Sequence, residues 1–298
     1  MTVAEQTRAR YPDGEGDLAR DGVRVHWERY GDGDPAILFL PTWSIVHSRC
    51  WKAQIPYFAR RHRVLAFDPR GNGRSDRPSD GAAYAESEFA EDARAVLDAT
   101  GTQRAVVVAL SLGAQRAIIL ASRHPERVAG LVLVGPAVPL APMPQERADA
   151  FARFHETRTD SGPWHEYNAH HWRRDFRGFL EFFFAQAFTE PHSTKQIEDC
   201  VGWGLEGGVE ALLVAEEGEV LGDATAAAAA KLACPVLVIH GEDDAIVPHA
   251  AGAELARIAG GALATVAGGG HCPHARDPVL VNLLIRDFIE SLAAGDAT

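Results

Sequence analysis

The sequence has few cysteines and no long apolar run. Its four cysteines, Cys50, Cys200, Cys234 and Cys272, are widely spaced and include no Cys-x-x-Cys pair, so neither a disulfide framework nor a cysteine zinc site is indicated. No apolar stretch reaches the length of a membrane span, and the polar N-terminal residues do not form a secretory segment. We therefore expect a cytoplasmic protein without a membrane partner.

Positive charge is also scarce. Lysine and arginine total 29 against 41 aspartates and glutamates, which gives a formal net charge of −12. Nucleic acids and anionic membranes require a basic surface, so the charge argues against either as the main partner. An acidic surface that docks a partner protein is a weak alternative, because acidic carriers would be repelled.

Metal and nucleotide motifs are missing as well. The adjacent His170 and His171 have no carboxylate or cysteine at ligand spacing, and neighbouring helical residues point in different directions. The glycines at 268–270 precede a histidine instead of opening a helix with lysine, as a phosphate-binding loop would. We expect no metal and no cofactor.

Strand-like and helix-like segments alternate along the 298 residues, and 46% of the residues are hydrophobic. This alternation is typical of an α/β fold, in which helices cover both faces of a mostly parallel sheet. An early antiparallel segment at residues 23–28 precedes the other strands. The remaining predicted strands are 36–40, 64–67, 105–109, 131–134, 236–240 and 262–266.

Ser111 follows the apolar run 106–110 and precedes a helical segment. A strand that becomes a helix at a serine predicts a nucleophile elbow, in which the hydroxyl is held outward on a strained turn. Small neighbours are required there; Gly113 meets the usual Gly-x-Ser-x-Gly pattern and Ala109 replaces its first glycine. The alternative is that Ser111 is an ordinary helix N-cap.

An acid follows a later strand. The run 235–240 ends in a glycine turn with three acids, Glu242, Asp243 and Asp244. Like charges this close cannot share one role, so we predict that Asp244 is the functional acid and that Glu242 and Asp243 are solvated. The alternative is an acidic loop that caps the following helix.

A base follows the acid. His271 comes after the three glycines at 268–270, which allow the loop to approach the serine. A neutral imidazole oriented by Asp244 can accept the proton of Ser111 and return it to a leaving group. His274 is the competing histidine, but it follows Pro273 near the last helix, where we expect it at the surface.

The ordered set Ser111, Asp244 and His271 resembles the α/β-hydrolase superfamily, in its serine branch with a helical cap, over nearly the whole chain. The glycine-rich segment 67–76 resembles a second landmark of that family, with a structural role. The resemblance implies an oxyanion hole formed by the backbone N–H groups of Trp43 and Leu112. The chain departs from the family here, because Pro41 and Thr42 stand where members often have His-Gly.

The resemblance also implies where the substrate binds. It places the core at residues 1–135 and 232–298 and a helical cap at 136–231, a segment that has lost its strand-like runs. The cap is rich in aromatic residues, some of which would line an apolar pocket and others the core. The predicted pocket residues are Trp43, Trp164, Trp172 and Phe183.

These inferences predict a serine hydrolase that cleaves a carboxylic ester of a small to medium apolar substrate through an acyl-enzyme. Its partner would be a small-molecule acyl substrate, and the protein could form a homodimer. The same three residues serve thioesterases, lactonases, C–C hydrolases, acyltransferases and cofactor-free peroxide chemistry, so these alternatives stay open. So does a non-hydrolytic ligand-binding protein, which the altered loop at Pro41 and Thr42 would favour.

Overall fold

The computed structural model describes residues 10–159, 161–219 and 222–295. These residues contain an eight-stranded sheet in the spatial order β1-β2-β4-β3-β5-β6-β7-β8. β1 pairs antiparallel with β2 and β2 antiparallel with β4, whereas every other pairing is parallel. The strands are β1 (Gly14–Arg20), β2 (Val23–Tyr30), β3 (Ala36–Leu40), β4 (Val64–Phe67), β5 (Ala105–Leu110), β6 (Val128–Val134), β7 (Val236–Gly241) and β8 (Ala262–Val266).

The central strands form where the sequence has continuous apolar runs. All residues of β3 and β5 are buried, as expected of strands covered on both faces. Successive side chains point to opposite faces, so Ile37 and Phe39 join one apolar core while Leu38 and Leu40 join the other. The sequence predicts every strand except β1, an edge strand of alternating half-buried and exposed residues without an apolar run.

Helices cover both cores. Those outside the long interval between β6 and β7 are α1 (Ile55–Phe58), α2 (Glu86–Ala99), α3 (Gly113–Arg123), α10 (His249–Ile258), α11 (Pro273–Arg276) and α12 (Pro278–Gly295). Within the described ranges, short 3-10 helices lie at Ser48–Trp51, Gly81–Tyr84 and Pro125–Arg127. None of the described helices is long and apolar enough to cross a membrane.

The interval between β6 and β7 contains helices and turns and, in its described residues, no strand. We call α4–α9 the inserted helices. They are α4 (Gln145–Ala152), α5 (Ala169–Arg174), α6 (Phe176–Ala187), α7 (Thr194–Gly207), α8 (Val209–Ala215) and α9 (Gly222–Ala229). The sequence places its cap at residues 136–231, which encloses all six of these helices.

Trp172 and Phe179 form the aromatic centre of the inserted helices. Their rings stack with centroids 4.3 Å apart, and both side chains are fully buried. The prediction that Trp172 lines the substrate pocket is therefore corrected: its indole packs between neighbouring aromatic rings and lines neither of the cavities described below. Helical periodicity does not distinguish a side chain that faces a cavity from one that faces the core.

The segment 67–76 has structural contacts throughout. Arg70 is buried and pairs through Nε and Nη2 with both carboxylate oxygens of Asp92, at 2.5 and 2.8 Å. Asp68 accepts hydrogen bonds from the Ser48 hydroxyl and the Arg74 amide. These bonds hold the loop beside the carboxyl end of β4.

Candidate active site

Ser111 lies between β5 and α3 with φ of 54°, in the left-handed region that only a constrained turn imposes on a non-glycine residue. Its amide donates to the Val134 carbonyl at 2.9 Å, which fixes the turn against β6. A Cβ at Gly113 would lie 2.8 Å from the Pro41 carbonyl oxygen. A glycine two residues after the serine is therefore required by the close approach of the loop that follows β3.

Asp244 and His271 meet at the carboxyl ends of β7 and β8. Asp244 Oδ2 lies 2.8 Å from His271 Nδ1, and its Oδ1 accepts the amides of Ile246 and Val247, each at 2.8 Å. Burial by itself raises the pKa of the Asp244 carboxyl. The neighbouring histidines and these amides outweigh burial and hold its pKa well below the usual range.

A second histidine contacts the same carboxylate. His240, at the end of β7, is fully buried and places Nε2 3.0 Å from Asp244 Oδ2 and 3.0 Å from the Val247 carbonyl. Both neighbours accept hydrogen bonds, so Nε2 carries a proton and donates. Sequence reasoning missed His240; its signal is a single polar residue that ends an otherwise apolar strand.

The loop that carries His271 is fixed to the inserted helices. The His271 amide donates to the Ala187 carbonyl at 2.9 Å, and the Gly270 amide donates to Glu190 Oε1 at 2.7 Å. Gly135 has φ of 51°, and a Cβ there would lie 3.1 Å from His271 Nδ1. His271 and Ser111 line one small cavity of about 50 Å³, so the fold brings the two predicted residues to the same place.

His274 differs from the prediction of a surface residue. Its ring is 1% exposed and lies against Trp51 with centroids 4.7 Å apart. Burial, with a contribution from His271, lowers the pKa of His274 to about 3. The short helix α11 turns the ring inward, which the position after Pro273 does not indicate. Glu242 and Asp243 are both exposed.

The loop after β3 is held by a buried arginine. Arg116 on α3 donates from Nη1 to the carbonyls of Thr42, at 2.5 Å, and Pro41, at 3.3 Å. A trans peptide directs its carbonyl and its following N–H oppositely, so the amide of Trp43 points away from Arg116. Among the described residues, neither this amide nor that of Leu112 donates to another backbone group.

A cavity of about 650 Å³ opens beside Ser111. Three of the predicted pocket residues, Trp43, Trp164 and Phe183, line it, together with Leu112 and further aromatic and aliphatic side chains. Phe183 meets Trp43 edge to face with centroids 5.1 Å apart. The volume lies in the range of pockets that bind small organic molecules.

The apolar wall of this cavity contains one unusual acid. Glu216 accepts a hydrogen bond of 2.7 Å from the Tyr167 hydroxyl. The Tyr167 hydroxyl and the Trp43 indole act to lower the pKa of this carboxyl. Loss of hydration dominates and raises the pKa of Glu216 to about 7. The sequence contains no signal that places this acid in the pocket.

One group of possible metal ligands occurs in the described part of the chain. Glu15, His26 and Glu28 bring their ligand atoms within 4.8 Å of one another on β1 and β2. His26 Nδ1 also lies 2.9 Å from Asp17. None of these residues lines the cavity beside Ser111.

The fold and the site together define the α/β hydrolases, and the comparisons agree. The model of the alpha/beta hydrolase fold family matches residues 35–278. The chain belongs to this family, and its relatives and structural neighbours include esterases and other hydrolases.

Three similar proteins indicate the range of activities. A bifunctional esterase/perhydrolase of Acinetobacter calcoaceticus is 28% identical over 242 residues, which cover 77% of this chain and 82% of that protein. A non-heme haloperoxidase of Rhodococcus erythropolis is 29% identical, covering 92% of this chain and 98% of that protein. The solved structure of Est816, an N-acyl homoserine lactone degrading enzyme, superposes with a TM-score of 0.72 at 25% identity, covering 92% of this chain and all of that one.

Proposed function

We propose that this protein is a serine hydrolase that cleaves a carboxylic ester of a small to medium apolar substrate. Ser111 is the nucleophile, His271 the general base and acid, and Asp244 the residue that orients the imidazole. The observation that carries this proposal is the 2.8 Å contact between His271 Nδ1 and Asp244 in a loop that shares a cavity with the strained Ser111.

In the proposed reaction, the Ser111 hydroxyl oxygen attacks the ester carbonyl carbon while His271 Nε2 takes the hydroxyl proton. The tetrahedral intermediate collapses, the C–O bond to the leaving alcohol breaks, and His271 returns the proton to that alcohol. Water then attacks the acyl-enzyme with the same base and releases the carboxylic acid and Ser111. Asp244 stays ionised and stabilises the imidazolium.

The amides of Trp43 and Leu112 form the proposed oxyanion hole. Backbone donors require no particular side chain, so Pro41 and Thr42 can replace His-Gly if the loop is fixed. Arg116 supplies that restraint through the Thr42 carbonyl. Each such donor is worth about 3 kcal/mol of barrier in a comparable site.

The pocket supports an apolar acyl ester. Its volume of about 650 Å³ is lined mostly by aromatic and aliphatic side chains, of which Phe151, Phe183 and Ala215 lie on the inserted helices. We propose that these helices act as the cap. The esterase/perhydrolase relative and the lactone-degrading structural neighbour both have names that describe reactions at acyl carbons. Peroxide chemistry of the kind that the haloperoxidase relative's name indicates is a second outcome of the same site.

The proposal is tested by intact mass after treatment with a fluorophosphonate, for the wild type and Ser111→Ala, followed by a series of p-nitrophenyl esters of increasing chain length. We expect one adduct on the wild type, none on Ser111→Ala, and turnover with an optimum chain length that measures the pocket. A folded wild type that is neither labelled nor active would overturn the proposal and favour a ligand-binding protein.

A further inference from the structure

Three arginines are buried in the described residues, and two of them pair with acids in the same way. Arg70 directs Nε and Nη2 at the two oxygens of Asp92. Arg116 directs Nε and Nη2 at the two oxygens of Glu86, at 2.7 and 3.1 Å. This edge of the guanidinium fits a carboxylate, because its two N–H groups are parallel.

Arg147 is the third, and it has no acid partner among the described residues. It lies on α4, is 7% exposed, and donates from Nη1 to the Ile246 carbonyl. Its Nε is buried without an acceptor among the described residues. The edge that binds a carboxylate in Arg70 and Arg116 therefore has no protein carboxylate in Arg147.

The position of Arg147 connects this edge with the proposed chemistry. Arg147 lines the same cavity as Ser111. Its guanidinium lies over the rings of Trp164 and Phe151, at 5.1 and 5.5 Å from their centroids, which restricts its orientation. Ile246, which accepts the hydrogen bond from Arg147, lies two residues after Asp244. This bond therefore holds the guanidinium between α4 and the loop that carries the predicted catalytic acid.

The other ionisable groups of the cavity do not neutralise Arg147. Glu86 is paired with Arg116, and Glu216 is bonded to Tyr167 and has its pKa raised to about 7, so it is partly protonated at neutral pH. His155 is an exposed residue at the wall. Asp244 attracts Arg147 at longer range, but both of its oxygens are bonded to histidines and backbone amides. A buried cation without a directly paired counter-ion is costly, and an anion that enters the cavity lowers that cost.

We propose that Arg147 is a specificity-determining residue that binds a carboxylate of the substrate, so that the preferred substrate is an ester with a second, anionic carboxylate group away from the scissile bond. This inference rests on the proposed function and changes its substrate class: the carbon chain of the ester stays apolar, but its far end carries a carboxylate. Arg147 attracts the carboxylate through the positive charge of its guanidinium at the cavity wall. The surrounding aromatic side chains contact the carbon chain between the two ends.

The test compares two p-nitrophenyl esters of equal length, the mono-ester of adipate and the neutral hexanoate, in the wild type, Arg147→Met and Arg147→Lys. The measured quantity is the ratio of kcat/KM for adipate to that for hexanoate within each variant. We expect the ratio to fall 10- to 100-fold in Arg147→Met and less in Arg147→Lys, which keeps the charge but loses the parallel N–H groups. The matched control is Arg153→Met, which removes the same charge from an exposed arginine just after α4 and should leave the ratio within about twofold.

The possible failures are distinguishable. A wild type that is labelled by the fluorophosphonate but shows the same ratio as Arg147→Met overturns the carboxylate inference and leaves the hydrolase proposal in place. A wild type that is neither labelled nor active overturns the hydrolase proposal. The anion site is then measured by the rise in Tm with monomethyl adipate, which should occur in the wild type and not in Arg147→Met; an equal rise in both rejects it. If Arg147→Met does not fold, Arg147→Lys replaces it in both the kcat/KM ratio and the Tm measurement.

Discussion

His240 and His271 contact the same oxygen of Asp244, at 3.0 and 2.8 Å. With the two amides on the other oxygen, the carboxylate has four neighbours and cannot rotate freely. The acid is thus held by groups from its own strand and loop, so that its orientation toward His271 does not depend on substrate.

Asp244→Asn should reduce kcat by about 10,000-fold, because an amide at this position can donate to His271 and stabilise the wrong tautomer. Steady-state kinetics on the best p-nitrophenyl ester measures the loss, and circular dichroism checks the fold. Asp243→Asn changes an exposed neighbour and is the control. Equal activity of Asp244→Asn and the wild type would remove Asp244 from the mechanism.

His240→Phe should lower kcat about 10-fold or more with a smaller change in KM, because a hydrogen bond to a charged group is lost. His240 is a positioning residue, so His240→Gln, which keeps an N–H donor, should recover part of the activity. His124→Gln is a matched control, since His124 contacts the carboxylate of Glu91 and not Asp244. A loss confined to KM, without rescue by Gln, would contradict this role.

Glu216→Gln should change how stability depends on pH. The pKa of Glu216 is raised from 4.5 to about 7, so between these pH values the folded protein holds a proton that the unfolded chain has released. Stability from this group is therefore lost as pH rises through the window. The free energy of unfolding of the wild type, relative to Glu216→Gln, should fall by about 1–3 kcal/mol between pH 5 and 8. Urea denaturation at several pH values measures this free-energy difference, with Glu217→Gln, at an exposed neighbour, as the control. A difference that does not change with pH would show that Glu216 is ionised in the folded protein.

Phe183→Ala and Trp172→Ala should have different effects, because we expect Phe183 to contact the substrate and Trp172 to stabilise the core. Phe183 lines the cavity beside Ser111. Its removal enlarges the cavity, so the acyl chain length that gives the highest kcat/KM should increase. Trp172 is fully buried, and its removal should cost about 3–5 kcal/mol of unfolding free energy through the cavity that it leaves. The ester series and urea denaturation measure the two effects. If Trp172→Ala instead preferred longer acyl chains and lost no stability, Trp172 would line the substrate pocket.

Much of the fold could be predicted because its signals are local. The strands β3 and β5 are continuous apolar runs, and the small residues around Ser111 mark a crowded turn. β1 has no such run, because it is half-buried on one face and exposed on the other. His274 and Trp172 were misplaced because their direction depends on how a short helix and an aromatic cluster pack, which neighbours in the sequence do not specify.

The sequence by itself determined the order of the elements and the chemistry available at three turns, where Ser111, Asp244 and His271 each follow a strand. Parallel strands carry their carboxyl ends to one edge of a sheet, so these residues meet whatever the details of packing. Only the tertiary structure decided which groups surround them: His240 behind Asp244, Arg116 behind the loop at Thr42, and Arg147 without an acid beside the pocket. Two of these relationships, Arg116 with Thr42 and Arg147 with Ile246, join segments far apart in the chain. His240 and Asp244 are only four residues apart, but the turn between them decides that the ring faces the carboxylate.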